Sequence, residues 1–140
     1  MKQNKVLLAL DIGEKRIGVA VCDGIVRIAR ALETIEVDGR EIDAVVRSVH
    51  DEKVSAIIIG YPRNQSGAPT AQTAFVEAFS KRLSKATDTP LLFQDESLTS
   101  VLAEERLRSY GKPYTKGAID AEAATIILQD YLERGSQYEK

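Results

Sequence analysis

The sequence has little of several residue types on which common protein chemistries depend. Among its 140 residues there are one cysteine, one histidine and no tryptophan. A single cysteine excludes an intramolecular disulfide and a zinc site built from four cysteines. The first apolar run, Val6 to Leu10, ends at Asp11 and is too short for a signal-peptide core or a membrane span. We therefore expect a soluble cytoplasmic protein in a reducing compartment.

A strong net charge is absent as well. The 19 basic and 21 acidic side chains give a formal net charge of −2, which excludes a basic coat over the whole surface. Any contact with nucleic acid must then come from a local patch. The 44% of hydrophobic residues and 29% of charged residues are typical of a packed globular chain. The length predicts one domain over residues 1–140, with an ordered core from about 5 to 134.

The hydrophobic pattern predicts three strands followed by alternating helices and strands. The order β-β-β-α-β-α-β-α-α indicates an α/β fold with a five-stranded mixed sheet and helices on both faces. In this sheet the first, fourth and fifth strands are parallel, and the first is buried in the middle. The predicted strands are 5–10, 16–22, 25–37, 55–60 and 90–94, and the third of them allows for a bend. The predicted helices are 39–53, a segment marked by Ala71, Ala74, Phe75, Ala78 and Phe79, then 99–110 and 118–134, before a frayed tail.

Acidic residues fall where such a sheet gathers ligands, beyond the carboxyl ends of its parallel strands. Asp11 follows the first strand, Asp95 and Glu96 follow the last strand, and Asp120 lies near the start of the last helix on its apolar side. Converging carboxylates repel one another unless some are protonated or a cation lies between them. Hard oxygen ligands favour Mg²⁺ or Mn²⁺, and such ions support phosphodiester cleavage.

Each acid also has a purely structural interpretation. Asp11 precedes a glycine turn by one residue and could be a turn former. Glu96 could be a solvated loop acid, and Asp120 could favour the positive end of its helix. The predicted topology favours a shared site because it brings all of them to one edge.

Four sequence strings, in order, resemble the YqgF/RuvX family. They are DIGEKRIGVAVCD (11–23), GYPRNQSGAPTAQT (60–73), DESLTS (95–100) and KGAIDAEAATIILQDYL (116–132), and the likeness covers residues 5 to about 133. The resemblance implies a ribonuclease H-like fold related to Holliday-junction resolvases. It also implies a metal-dependent nuclease that helps to trim the 5′ end of precursor 16S ribosomal RNA. Asp11, Glu96 and Asp120 match the acidic triad of the family, and we add Asp95 as a supporting acid.

The chain departs from the family pattern at two positions. Ser97 stands where the family commonly has arginine, and Arg63 stands where it commonly has a hydrophobic residue. The missing arginine removes a possible phosphate contact and bears on rate and substrate preference. It leaves the metal ligands unchanged.

Cationic and polar residues near the predicted edge are candidate substrate contacts. The segment between Arg106 and Ile119 has no acid, and cations there would neutralise phosphates while tyrosines stack on unpaired bases. Solvated helix faces and polar connecting loops are the structural alternatives. The candidate contacts are Lys116, Lys112, Arg63, Asn64 and Arg16.

Three other functions stay open. The chain could be a resolvase of branched DNA, or a non-catalytic RNA-binding factor of ribosome assembly with a vestigial acidic cluster. A phosphotransferase of the sugar-kinase and actin type is the third, although those proteins duplicate the domain. A serine-histidine hydrolase is disfavoured because His50 is expected at the surface, and Cys22 is expected in the core. The expected partner is nucleic acid, and no contact with a membrane is expected. We expect the protein to be a monomer or a homodimer.

Overall fold

Six strands and four helices make up the part of the chain that the structure, a computed structural model, describes: residues 5–23, 28–62, 71–96, 99–111 and 115–138. The strands are β1 (Val6–Ile12), β2 (Arg16–Asp23), β3 (Arg30–Ala31), β4 (Ile35–Glu36), β5 (Ala56–Pro62) and β6 (Leu91–Glu96). The helices are α1 (Glu41–Asp51), α2 (Ala71–Ala86), α3 (Thr99–Ser109) and α4 (Lys116–Tyr138).

The sheet has the mixed topology that the element order predicts. Its strand order is β3-β2-β1-β5-β6, and β4 also pairs with β2. β1 and β2 form an antiparallel hairpin in which Asp11 is opposite Gly18. β1, β5 and β6 are parallel, so their carboxyl ends share one edge of the sheet. The predicted parallel set is therefore confirmed.

The core lies on both faces of β1, as its nearly continuous apolar sequence predicts. Leu8 and Leu10 belong to the cluster that α1 and α2 cover, and neither is exposed to solvent. Ala9, on the opposite face, packs in the cluster that contains Ile127 and Leu128 of α4. Residues of β1 thus alternate between two layers, and odd-numbered positions face α4.

The third predicted strand is two short strands in the structure. Both pair with β2, since Ala31 is opposite Ala20 and Ile35 is opposite Ile17. Between them the Thr34 hydroxyl donates a hydrogen bond to the carbonyl of Gly117 at 3.2 Å. A continuous strand over 25–37 is therefore wrong, and the bend that the prediction allowed lies between β3 and β4, where Thr34 contacts α4. Its predicted beginning at 25–27 lies outside the described residues.

Helix α2 buries only part of the predicted face: Phe79 is buried, and Phe75 is partly buried and packs against the core. All three alanines that mark the predicted face are exposed: Ala71, Ala74 and Ala78. The buried stripe is Thr73, Val76, Phe79, Ser80 and Leu83. Turning the helix this way removes larger apolar side chains from water than burying alanines would, which is the more favourable arrangement.

Strand β6 was expected to be buried, and this expectation was wrong. Leu92 is 38% exposed and Phe93 is 49% exposed. The strand order explains the exposure, because β6 is the end of the sheet path and pairs with β5 alone among the described strands. An apolar run identifies a strand but does not indicate whether other strands pair with both of its edges.

Helix α4 is the longest element and covers one face of the sheet. It has 23 residues, begins two residues before the predicted start and continues to Tyr138, past the predicted end at residue 134. Its buried side chains include Ala124, Ile127 and Leu128, which pack on β1, β2 and β5. No helix among the described residues is both long enough and apolar enough to cross a membrane.

Candidate active site

The β1–β2 hairpin places Asp11 at the carboxyl edge of the sheet. β1 continues to Ile12, so Asp11 lies within the strand rather than after it. Strand alternation places it on the same face as Ala9, toward α4. The turn that follows is tight, because the Gly13 amide donates to the Arg16 carbonyl at 3.0 Å.

Asp120 faces the sheet from the second turn of α4, as the helix pattern predicts. Its Oδ2 accepts a hydrogen bond from Nε of Arg16, the first residue of β2, at 3.0 Å. About a quarter of each side chain is exposed, 25% for Asp120 and 26% for Arg16. The ion pair joins residues 104 positions apart in the chain.

The two described acids of the site are electrostatically coupled. Burial, and next the negative charge of Asp120, raise the pKa of Asp11 from 3.8 to about 7. Near neutral pH the Asp11 carboxyl is therefore divided between its protonated and ionised forms. Two carboxylates that cannot both ionise easily are typical of a site that takes a proton or a cation.

Gly18 lets α4 approach the sheet at this point. A Cβ atom on Gly18 would overlap the backbone carbonyl of Asp120. A second link is the hydrogen bond from Thr34 to the Gly117 carbonyl. Sequence reasoning did not identify Gly18, although an isolated glycine inside an apolar strand is a signal of close backbone approach.

The end of β6 places the backbone of two further acidic residues at the same edge of the sheet. Asp95 is in register with Tyr61 and Glu96 with Pro62, at the carboxyl end of β5. Their side chains are outside the part of the chain whose side chains are described. Gln94, which is buried, donates from Nε2 to Oδ2 of Asp130 at 2.7 Å and so ties β6 to α4. The sequence offers no local signal for that contact.

A shallow pocket of about 450 Å³ opens beside Asp120. Gln72, at the start of α2, donates from Nε2 to the Ile12 carbonyl at 2.6 Å and so fixes the end of β1. Gln72 was not predicted as a site residue. The lining residues are Gly13, Glu14, Lys15, Arg16, Gln72 and Asp120.

Among the predicted substrate contacts, the structure places Arg16 in this pocket. Lys116 is the first residue of α4, and its side chain is not among those described. Arg63, Asn64 and Lys112 lie outside the described residues.

Residues outside the proposed site show which of the other expectations hold. Arg106 pairs with Glu122 of α4 at 3.0 Å. Tyr110 is 55% exposed and is therefore not part of the core. His50 is exposed and Cys22 is buried, as expected.

The donor chemistry of the site fits a hard divalent cation. Asp11 and Asp120 offer carboxylate oxygens whose mutual repulsion a cation would relieve. Among the side chains that the structure describes, no group of three or more histidine, cysteine, aspartate or glutamate residues could hold an ion. A third ligand would have to come from a residue such as Glu96, whose backbone reaches the same edge.

Two solved structures with the same architecture are described as complexes with Holliday junctions. Thermus thermophilus RuvC in complex with a Holliday junction has a TM-score of 0.62 at 17% identity, over 95% of this chain and 96% of that one. The Fowlpox virus resolvase with its Holliday junction has a TM-score of 0.57 at 13% identity, over 96% and 99%. These likenesses define the fold class as ribonuclease H-like.

Sequence comparison defines the family. The profile of the RuvX family, described as Holliday junction resolvase, matches residues 5–134. A Chloroflexus aurantiacus protein named "Putative pre-16S rRNA nuclease" is 45% identical over 134 residues, covering 93% of this chain and 88% of that protein. A Crocosphaera subtropica protein of the same name is 44% identical over 134 residues, covering 91% and 92%. The chain belongs to the RuvX family.

Proposed function

We propose that this chain is a divalent-metal-dependent nuclease that hydrolyses phosphodiester bonds at the 5′ end of precursor 16S ribosomal RNA in the cytoplasm. The observation that carries the proposal is the pair of acids at the carboxyl edge, Asp11 and Asp120, where burial and next the negative charge of Asp120 raise the pKa of Asp11. The name that the Chloroflexus and Crocosphaera relatives carry supports the RNA substrate.

Asp11, Glu96 and Asp120 are the proposed ligands of Mg²⁺ or Mn²⁺, with Asp95 as a supporting acid. When bound, such an ion would activate a water and stabilise the charge that develops at the phosphate. Asp11 would give up its proton as the cation binds, because a nearby positive charge favours the ionised carboxylate. Asp120 would present its second oxygen to the ion, while Arg16 contacts the first.

Cations around the pocket would hold the nucleic-acid backbone. Lys15 and Arg16 line the pocket beside Asp120. A guanidinium or ammonium group there would neutralise a phosphate and release its counterions. The remaining proposed contacts are Lys116, Lys112, Arg63 and Asn64.

Cleavage of a labelled precursor 16S fragment, with Mg²⁺, with Mn²⁺ and with chelator, tests the proposal. We expect metal-dependent cleavage that Asp11→Asn and Asp120→Asn each abolish while the circular dichroism spectrum is retained. Asp88→Asn is the matched control, since Asp88 is exposed and precedes β6 at the opposite edge of the sheet. Undiminished cleavage by Asp11→Asn would contradict the assignment of the acids.

A branched-DNA substrate is the second candidate, because the family profile is described as that of a Holliday junction resolvase. A four-way DNA junction in the same assay separates the two. Preferred cleavage of the junction would replace RNA by DNA as the substrate and leave the roles of the acids unchanged. RNA binding without turnover at any metal concentration, unaffected by Asp120→Asn, would instead indicate a non-catalytic assembly factor.

A further inference from the structure

We propose that Arg16 is a positioning residue, which holds the Asp120 carboxylate in the orientation needed to ligate a cation; this rests on the proposed function. The guanidinium contacts the carboxylate through Nε and Oδ2 at 3.0 Å. This contact occupies one carboxylate oxygen, so the other stays available to a cation. Arg16 would thus act through Asp120.

Both ends of this ion pair are anchored in the fold. The backbone of Arg16 is fixed by the bond from the Gly13 amide to its carbonyl and by pairing opposite Glu36 of β4. The backbone of Asp120 is fixed by its close approach to Gly18. An ion pair between two fixed backbones restricts the rotamers of both side chains. The orientation of the Asp120 carboxylate is therefore defined before any cation arrives.

The charge balance shows that Arg16 does not replace the cation. Asp11 and Asp120 carry two negative charges when both are ionised, and one guanidinium leaves a net charge of −1. A divalent ion is therefore still attracted to the pair. Arg16 would also repel that ion, but both side chains of the ion pair are partly exposed, and solvent there weakens Coulomb interactions. We expect the gain from fixed geometry to exceed that repulsion.

Binding of Mn²⁺ without nucleic acid, followed by the electron paramagnetic resonance signal of the free ion, tests the proposal independently of cleavage. Arg16→Gln should bind Mn²⁺ about 10–100-fold more weakly than the wild type, the usual effect of removing a group that orients a metal ligand. Arg16→Lys should recover most of the affinity, because it restores a charged donor. Purely electrostatic competition predicts the opposite order, with Arg16→Gln binding most tightly.

The matched control is Arg30→Gln, which removes the same charge from the neighbouring strand β3. Arg30 pairs with Glu52 at 3.3 Å and lies opposite Val21, five residues along β2 from Arg16. The affinity of Arg30→Gln for Mn²⁺ should equal that of the wild type. Thermal melts in chelator, monitored by circular dichroism, establish that each variant is folded at the temperature of the titration.

The outcomes separate this inference from the proposed function. If the wild type binds Mn²⁺ and Asp120→Asn weakens that binding, the metal site holds. Equal or tighter binding by Arg16→Gln then overturns the positioning role alone. Failure of the wild-type protein to bind Mn²⁺ would overturn both the metal site and the role of Arg16.

Discussion

Gly18 lies so close to the backbone carbonyl of Asp120 that no side chain fits between them. Within the β1–β2 hairpin, Gly18 is also in register with Asp11. A single glycine therefore occupies the point at which the strand that carries Asp11 and the helix that carries Asp120 come together. The spacing of the two acids depends on this close contact.

Gly18→Ala should displace α4 from β2, because the new Cβ would overlap backbone rather than a flexible side chain. We expect a loss of about 1–3 kcal/mol in the free energy of unfolding, typical of an overpacked core. Cleavage should fall by about 100-fold, since misplacing a catalytic group by about 1 Å has that effect. Urea denaturation and the precursor cleavage assay measure the two effects.

Gly117→Ala is the control for that prediction. A Cβ there would meet the hydroxyl oxygens of Thr34 and Thr115 at 3.7 Å, an ordinary contact distance. We expect a change within about 0.5 kcal/mol in the free energy of unfolding. Equal losses in Gly18→Ala and Gly117→Ala would show that the close approach has no special role.

The pKa of Asp11 predicts a pH dependence of stability in the metal-free protein. This pKa is about 7 in the folded protein against the ordinary 3.8, so the folded state binds more protons between these values. The free energy of unfolding should therefore decrease as the pH rises from about 4 to about 7. A pKa difference of this size corresponds to at most about 4 kcal/mol, and we expect a change on the order of 2 kcal/mol, because the Asp11 side chain is partly exposed and solvent screens its charge.

Asp11→Asn isolates this effect, because asparagine has no charge to lose. Measured in chelator, the difference in unfolding free energy between wild type and Asp11→Asn should change by on the order of 2 kcal/mol between pH 4 and 8 in favour of the variant. Asp88→Asn should show no such change. A constant difference between wild type and Asp11→Asn across this range would count against the raised pKa of Asp11.

Divalent cations should stabilise the fold through the same pair of acids. A ligand that binds only the folded state at one hundred times its Kd adds about 2.7 kcal/mol. We therefore expect Mg²⁺ or Mn²⁺ to raise the Tm of the wild type, and to do so much less in Asp11→Asn or Asp120→Asn. Differential scanning fluorimetry measures the change in Tm, with KCl at equal ionic strength as the control. An equal rise in Tm for all three proteins would place the ion elsewhere.

Gln94→Leu should weaken the attachment of β6 to α4. The buried amide of Gln94 donates to Asp130 at 2.7 Å, and a hydrogen bond to a charged group contributes about 1.5–3 kcal/mol. We expect a loss of that size in the free energy of unfolding, together with reduced cleavage, because Glu96 is two residues further along β6. Asp130→Asn keeps an acceptor oxygen and should lose less. A fully stable Gln94→Leu would show that this contact is not important.

Local patterns in the sequence were sufficient to predict much of the fold. The apolar run of β1 identified the buried central strand, and the short turn at Gly13 identified the hairpin. The exposure of Phe93 on β6 and the division of the third predicted strand were not predictable in this way. Both depend on which element lies alongside, and that is decided by contacts distant in the chain.

The same distinction applies to the site. The placement of Asp11 and Asp120 at this edge could be predicted, because a position near the end of a strand and one on an apolar helix face are local properties. The ion pair of Arg16 with Asp120 and the bond from Gln72 to the Ile12 carbonyl could not, since their partners are 104 and 60 residues apart. A sequence indicates which acids reach the edge, but not which side chains orient them.

Helix α4 is the last described element of the chain, yet it both covers the sheet beside Ala9 and Ile58 and supplies Asp120. During synthesis, this face of β1 is therefore covered, and the two acids meet, only after α4 has been made. Until then Asp11 has no acidic neighbour from α4. The electrostatic coupling of Asp11 to Asp120 therefore arises only after residues far apart in the chain have folded together.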